Sequence, residues 1–436
     1  MTTARRRPLF CAAVLTLALA TAGAASAAFV GTNGKVSYNH LRYWRFDVYS
    51  VNPDGTGKHF NLIADVSIDD PAYSPDGQQI AFAHHWVRGR RIQGQLGIEN
   101  DDPNDNGYVG ILVVDRRWGT PWDPTWSPDG SRLAFTSSRD GDFELYLVPA
   151  TGGTKVRLTA NRVPDIEPAW SPNGRLVAFS SRRNGNWDIY VKDLVSGAVT
   201  RLTRSRRVEG FPSWSPDGGT IAFWGRGASD AELYTVDLHT RAVRQVTRNS
   251  VPDYDPAWSP DGTMLAFSSR RGGRWDIFRK NVAGGGFANL TRDRAPDGYP
   301  DWQPRCHAQG SDDEPGTIAG TDSPELLCSL SQGDTVTAAG GNDAVFGRDG
   351  GDVLDGGDGA DVLVGGPGVD TLTGGPGADL LNALDGEGGD VVNGDADDLC
   401  YADPGDLVTG CTAAPLLPGA AVTGGALSTF DRPSHR

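Results

Sequence analysis

Between residues 320 and 382 the chain repeats every nine residues as Gly-Gly-x-Gly-x-Asp-x-apolar-x, most completely at 356–364, 365–373 and 374–382. That spacing describes a parallel β-roll loaded with calcium. The glycines make a tight turn whose carbonyls point inward, the aspartate adds a hard carboxylate oxygen, and the apolar residue fills a narrow core. Asp334, Asp343, Asp352, Asp361, Asp370 and Asp379 stand nine apart, and Leu327, Val336, Val345, Leu354, Leu363, Leu372 and Leu381 hold the apolar slot throughout. These aspartates, with Asp390 beyond them, are the candidate Ca2+ ligands, joined by the turn carbonyls of Gly356, Gly365 and Gly374. Several ions are expected.

The run, taken as residues 320–393, resembles the RTX family of secreted calcium-binding repeats. The resemblance implies ions held between coils eighteen residues apart, so that Asp343 with Asp361, Asp352 with Asp370, and Asp361 with Asp379 flank shared sites. Glu325 replaces the first aspartate, the unit 329–337 lacks its turn glycines, and Ala383-Leu384 move Asp390 out of step.

Charge is divided unevenly. Residues 28–310 carry 34 Lys and Arg against 32 Asp and Glu, a net +2, whereas residues 311–411 carry 1 against 22, a net −21. So acidic a segment repels itself and nucleic acid alike, which makes nucleic acid a poor partner and cations a requirement for compaction. At the start, Arg5-Arg6-Arg7, an apolar run from Leu9 to Ala20 and Ala25-Ser26-Ala27 read as a cleavable secretory signal over 1–27. The same arginines leave the export route open between a general and a twin-arginine signal. Without Cys11 the chain retains Cys306, Cys328, Cys400 and Cys411, an even number suited to an oxidising compartment. Proximity favours Cys306–Cys328 and Cys400–Cys411. The Ala/Gly/Pro-rich tail, 412–436, offers no membrane span.

A longer repeat precedes the roll. The motif Pro-Ala-Trp-Ser-Pro-Asp-Gly at 256–262 recurs with small changes at 71, 124, 168 and 212, and its start returns at 300; from 124 onward the spacing is 44 residues. Four short strand signals per unit at this period mark a β-propeller. After Pro300-Asp301-Trp302 the remaining strands of the last unit are missing, and strand signals at 35–38, 47–52 and 59–64 supply them. The two ends therefore share a blade and close a six-bladed ring. The quoted motif and Asp188-Ile189-Tyr190 resemble the WD-type repeats of the TolB propeller over residues 29–304. The fold class expected is all-β, a six-bladed β-propeller followed by a parallel β-roll. The divisions are a signal at 1–27, the propeller at 28–304, a linker at 305–319, the roll at 320–411 and the tail.

Residues 44 apart in equivalent loops should ring one face of the disc. Asp165, Glu209, Asp253 and Asp297 make one ring, Asp123, Glu167 and Asp255 part of a second, and Arg139, Arg183 and Arg271 a third. They form either a charged mouth for a peptide terminus or cation, or ion pairs between blades. Two breaks in the symmetry stand out. Blade two carries nine extra residues, within which Asp102, Asn104 and Asn106 match the opening of a calcium loop whose closing Glu is replaced by Val113; an ordinary polar turn has the same composition. His84 and His85 begin that stretch but point to opposite faces of a strand, which suits separate hydrogen bonds better than one metal. Phe211 enters the acidic ring, and Trp224 stands where Ser180 and Ser268 stand elsewhere.

No recognisable catalytic motif appears. The first expectation is a secreted, non-catalytic calcium-binding protein whose propeller recognises an extracellular protein or glycan. The alternatives are a propeller-type polysaccharide lyase or hydrolase using His84 or His85, and a passive matrix or stalk component.

Overall fold

The computed structural model describes residues 32–413, apart from 43–44, 63–66, 89–90, 101–107, 115–119, 228, 293, 307–314 and 330–332. All described elements are strands. They form six four-stranded antiparallel sheets and two six-stranded parallel sheets, which fall into two compact units meeting between Cys306 and His307.

The first unit is a six-bladed propeller. Its inner strands are Ser67–Tyr73, Pro121–Trp126, Asp165–Trp170, Val208–Trp214, Asp253–Trp258 and Asp297–Arg305. Each neighbours the next, and the sixth neighbours the first. The closing sheet joins Asp297–Arg305 to Thr32–Arg42, Arg45–Val51 and His59–Leu62, with Val36 opposite Trp302 and Ser37 opposite Asp301. The shared blade read from the sequence is therefore present. A sheet ring closed by both ends of the propeller unit leaves no inner strand unpaired.

The repeated motif has two structural jobs. Its tryptophans, Trp126, Trp170, Trp214, Trp258 and Trp302, are all buried, and three indole N–H groups donate to the blade before: Trp126 to Ala72 O at 3.0 Å, Trp214 to Ala169 O at 3.1 Å and Trp302 to Ala257 O at 3.1 Å. The following Ser-Pro-Asp-Gly is a turn in which Ser259 Oγ donates to Asp261 Oδ1 at 2.6 Å and Gly262 adopts a φ of 67°, a conformation open to glycine at no steric cost. The blade-two insertion lengthens a hairpin: Gln79–Arg88 pairs with Arg91–Asn100 over ten residues, where Leu176–Ser181 pairs over six.

The second unit is the roll. Its strands are three or four residues long, apart from a last one of two, and partners in the regular coils lie eighteen apart, as in Val336 with Leu354 and Val345 with Leu363. It starts at Thr317 and continues to Ala413, beyond both limits expected. The apolar slot forms one buried column from Ile318 through Leu354 and Leu381 to Val392 and Cys400. Coils stack so closely that a Cβ on Gly359, whose φ is 154°, would collide with the carbonyl of Gly341. Only glycine fits there.

Candidate metal centre and propeller cavity

In the roll the aspartates are buried, from Asp343 at 1 % exposure to Asp361 and Asp370 at 0 %. One oxygen of each has a fixed partner in the coil eighteen residues earlier. Asp343 N–H donates to Asp361 Oδ1 at 2.8 Å, Asp352 N–H to Asp370 Oδ1 at 2.8 Å, and Asp361 N–H to Asp379 Oδ1 at 2.8 Å. The other oxygen has none: Oδ2 of Asp343, Asp352, Asp361, Asp370, Asp379 and Asp390 is buried without a hydrogen bond. A Cβ placed on Gly356 would lie 2.6 Å from Asp361 Oδ2 and 2.6 Å from the carbonyl oxygen of Gly374. On Gly347 it would lie 2.7 Å from Asp352 Oδ2 and 2.5 Å from the carbonyl oxygen of Gly365. Carboxylate and turn carbonyl thus crowd the same glycine-only space. Among the described residues no three His, Cys, Asp or Glu side chains form a metal cluster, so carbonyl oxygens must complete any site here.

Burial without a counter-charge raises these acids. Asp343, Asp361, Asp370 and Asp379 are pushed up to about 7 and Asp352 to about 6, chiefly by desolvation and further by neighbouring acids, Glu325 for Asp343 and aspartates for the rest. Asp334 differs: Ser329 Oγ donates to its Oδ2, and Gly316 N–H donates to its Oδ1 at 2.5 Å. The serine stands in the turn where this unit lacks glycine. Its hydroxyl fills the position that stays unanswered from Asp343 to Asp390.

In the propeller, one residue of every inner strand has a left-handed backbone: Asp70, Asp123, Glu167, Phe211, Asp255 and Tyr299, with φ between 53° and 59°. Each sits in a β-bulge, which re-aims its side chain. Such a conformation costs a non-glycine residue about 1 kcal/mol or more, and hydrogen bonds between blades offset it. Glu167 Oε2 accepts from Ser180 Oγ at 2.5 Å and from the next blade's Phe211 N–H at 2.8 Å. Asp255 Oδ2 accepts from Ser268 Oγ at 2.8 Å, and Ser268 Oγ accepts from Tyr299 N–H at 3.1 Å. Phe211 and Trp224 replace this carboxylate–hydroxyl couple in their blade. Their rings lie 6.4 Å apart and line a cavity of about 440 Å³.

The outer charges are mostly paired, within blades rather than between them. Arg183 Nη2 lies 2.5 Å from Asp165 Oδ2 and Arg271 Nη2 lies 2.6 Å from Asp253 Oδ2, both reached across one hairpin. Asp297 meets His40 Nδ1 at 2.6 Å. Arg139 has no such partner because Pro121 occupies the equivalent place; it lies 3.8 Å from Asp140 instead. His84 and His85 diverge as expected of strand neighbours. His85 is buried with Nε2 2.8 Å from Pro121 O, and His84 Nδ1 lies 2.9 Å from Gln95 Nε2. They share no site.

Comparison with known proteins agrees with this geometry. The model of the TolB beta propeller domain matches residues 29–227 and 188–310, most of the chain. The chain belongs to the TolB β-propeller family. The RTX calcium-binding nonapeptide repeat matches four times after the TolB-type propeller, over 331–363, 346–381, 355–388 and 364–398. The chain is 34 % identical over 110 residues to the uncharacterized peptidase YuxL of Bacillus subtilis (strain 168) and 31 % identical over 121 residues to a TolB homolog of Chlorobium luteolum. Those matches cover 23 % and 28 % of this chain but only 15 % and 25 % of the two relatives. Among solved structures, TolB from Acinetobacter baumannii aligns over 62 % of this chain and 67 % of its own, at 26 % identity and a TM-score of 0.55. A hydrazine synthase from Kuenenia stuttgartiensis, at 15 % identity over 62 % of this chain and 47 % of its own, has a TM-score of 0.51 and shares the fold alone.

Of the last two acids of the roll, Asp390 was read as a ligand although out of step, and Asp398 escaped the nine-residue reading. The coil after Asp379 is longer, and Asp390 still takes its slot, its Oδ1 accepting from Asp370 N–H at 2.8 Å across twenty residues. Asp398 takes the next, accepting from Asp379 N–H at 2.9 Å across nineteen. The local signal was the apolar pair Leu399-Cys400 after Asp398. Beyond them Cys400–Cys411 is bridged, with Cα atoms 5.9 Å apart. The signal over 1–27, the loop of Asp102, Asn104 and Asn106, and the tail from residue 414 lie outside the described residues. Among the described residues no helix is long and apolar enough to cross a membrane.

Proposed function

We propose that the chain is a secreted, non-catalytic calcium-binding protein in which the TolB-type propeller is a recognition scaffold and the roll is ordered by several calcium ions. The observation that carries this reading is the row of six buried Oδ2 atoms, from Asp343 to Asp390, that accept no hydrogen bond. A buried unanswered carboxylate oxygen costs several kcal/mol, and a fold that repeats it six times needs a cation at each place. Calcium accepts oxygen ligands in irregular sets and tolerates carbonyls beside carboxylates. Asp343, Asp352, Asp361, Asp370, Asp379 and Asp390 would supply the charge, with the carbonyls of Gly356, Gly365 and Gly374 completing the shells. Asp334, answered by Ser329, would be the weakest ligand. The division of domains and a Cys306–Cys328 bridge belong to the same proposal, as does a protein or glycan partner outside the cell.

Calorimetric titration of the full chain with calcium tests the reading. Several ions should bind, and Asp361→Asn and Asp379→Asn should each lower the number of ions or their affinity. Magnesium binding as tightly as calcium, or no calcium binding at all, would sink it.

A further inference from the structure

Five aromatic rings line one side of the propeller cavity in an unbroken series. Tyr299 lies 6.3 Å from Phe211, Phe211 6.4 Å from Trp224, Trp224 5.0 Å from Tyr254 and Tyr254 5.7 Å from Trp275, centroid to centroid. All five border the same 440 Å³ space as the buried carboxylates Glu167, Glu209 and Asp255. The arginines at this cavity, Arg182 and Arg226, are exposed at its rim. The acidic groups are therefore deep and desolvated, while positive charge is shallow and screened. The aromatic series is also where the blade symmetry breaks, since neighbouring blades put Ser180 and Ser268 in the place of Trp224. Architecture alone is satisfied by the serine.

We propose that this cavity binds an organic cation, an alkylammonium or guanidinium group carried on a short apolar stem. The inference rests on the recognition-scaffold reading and supplies its ligand chemistry. Aromatic faces attract a cation within about 6 Å of their centroids, more strongly when it is desolvated, and the stem gains from burial against the rings. Glu209 Oε2 is buried without a hydrogen bond, which leaves it available to an ammonium or guanidinium N–H. Burial, reinforced by Asp123 and Asp255, pushes Glu167 up to about 8, and burial pushes Asp255 up to about 7. An arriving cation would convert these acids to carboxylates and release protons.

The source of the cation is either a free amine or a basic side chain of a peptide, and three probes separate them. Calorimetry on the full chain in saturating calcium would use cadaverine, a lysine blocked as its N-acetyl methylamide, and the equally blocked norleucine as the uncharged isostere. At least one cationic probe should bind, with proton release visible as a buffer-dependent heat, and norleucine should bind at least tenfold more weakly. Tighter binding of blocked lysine than of cadaverine would assign the site to a peptide; the reverse would assign it to a free amine. Trp224→Ser installs the residue that neighbouring blades carry, so it should fold, and it should weaken binding at least tenfold; Glu167→Gln should act likewise. Equal binding of norleucine, unchanged affinity in Trp224→Ser, or binding of neither cation would overturn the proposal. Mass analysis of the recovered probe separates the two layers: a chemically altered probe would overturn the non-catalytic reading while leaving the cation site standing.

Discussion

In the propeller Asp253 is held 2.6 Å from Arg271 Nη2 and Asp255 accepts a hydroxyl at 2.8 Å, whereas in the roll the equally buried Asp361 accepts one N–H and leaves its second oxygen unanswered. Both regions bury carboxylates, and they differ in where the compensation comes from. The propeller carries its own, consistent with 34 basic residues against 32 acidic ones over 28–310; the roll, with 1 against 22 over 311–411, does not. Closure differs in the same sense. The propeller ring closes on its own first and last strands, Thr32–Arg42 and Asp297–Arg305, while the roll stacks coil on coil around a single apolar column. A narrow column buries little surface per residue, so external ions must contribute the rest of the folding free energy.

The largest effect should come from chelation. All twelve tryptophans lie before residue 303, so their fluorescence reports the propeller alone. Excess chelator added to the full chain should remove the roll's share of the far-ultraviolet β signal and leave tryptophan emission unchanged. A parallel loss of both signals, or of neither, would show that the two regions do not depend on cations differently.

Next in size is ring closure. Deleting residues 300–304 removes the middle of Asp297–Arg305 and unpairs Thr32–Arg42, exposing strand edges on both sides. The variant should aggregate or melt at least 10 °C lower in calcium and in chelator alike, about what a loss of several kcal/mol produces in a domain of this size. Melting unchanged by scanning calorimetry would break the six-blade closure.

Acidity should move the metal-free roll in the opposite direction to an ion-paired protein. Burial pushes Asp343, Asp352, Asp361, Asp370 and Asp379 up to about 6 or 7 in the fold against an ordinary 3.8, so the fold binds more protons than the unfolded chain. Stability from this source is complete below about pH 4 and is lost as the pH rises to about 7. In chelator the roll should therefore show more β signal at pH 5 than at pH 8. With calcium the order should reverse, because binding must displace those protons.

The smallest contrast lies within the roll. Asp361→Ala should weaken calcium affinity by about tenfold or more, a loss of about 1.4 kcal/mol or greater, while Asp334→Ala should change it less than threefold because Ser329 already occupies its Oδ2. Equal losses in parallel titrations would place the edge of the ion array elsewhere.

Much of this was legible in a linear reading because both regions are repeats. A period of 44 residues exposes the blades, and a period of nine with two phases gives strand, turn and ligand position in each half-coil. Local chemistry repeated at fixed spacing constrains the fold strongly, since each unit must bury its face against the next. Where the period slips, spacing alone loses the register: Asp390 was read as a ligand though out of step and Asp398 was unread, yet a longer turn lets both re-enter the stack at twenty and nineteen residues. Pairing was equally hidden. The arginine and aspartate rings could be drawn from sequence, but only the bulged inner strands decide that Arg183 reaches Asp165 within its own blade and that Glu167 bonds to the next. Nor does any spacing reveal that Tyr299, Phe211, Trp224, Tyr254 and Trp275, separated by up to 88 residues, form one wall. Repetition specifies each blade from local chemistry; the cavity arises where blades meet, and contacts between distant segments are fixed only once the ring has closed.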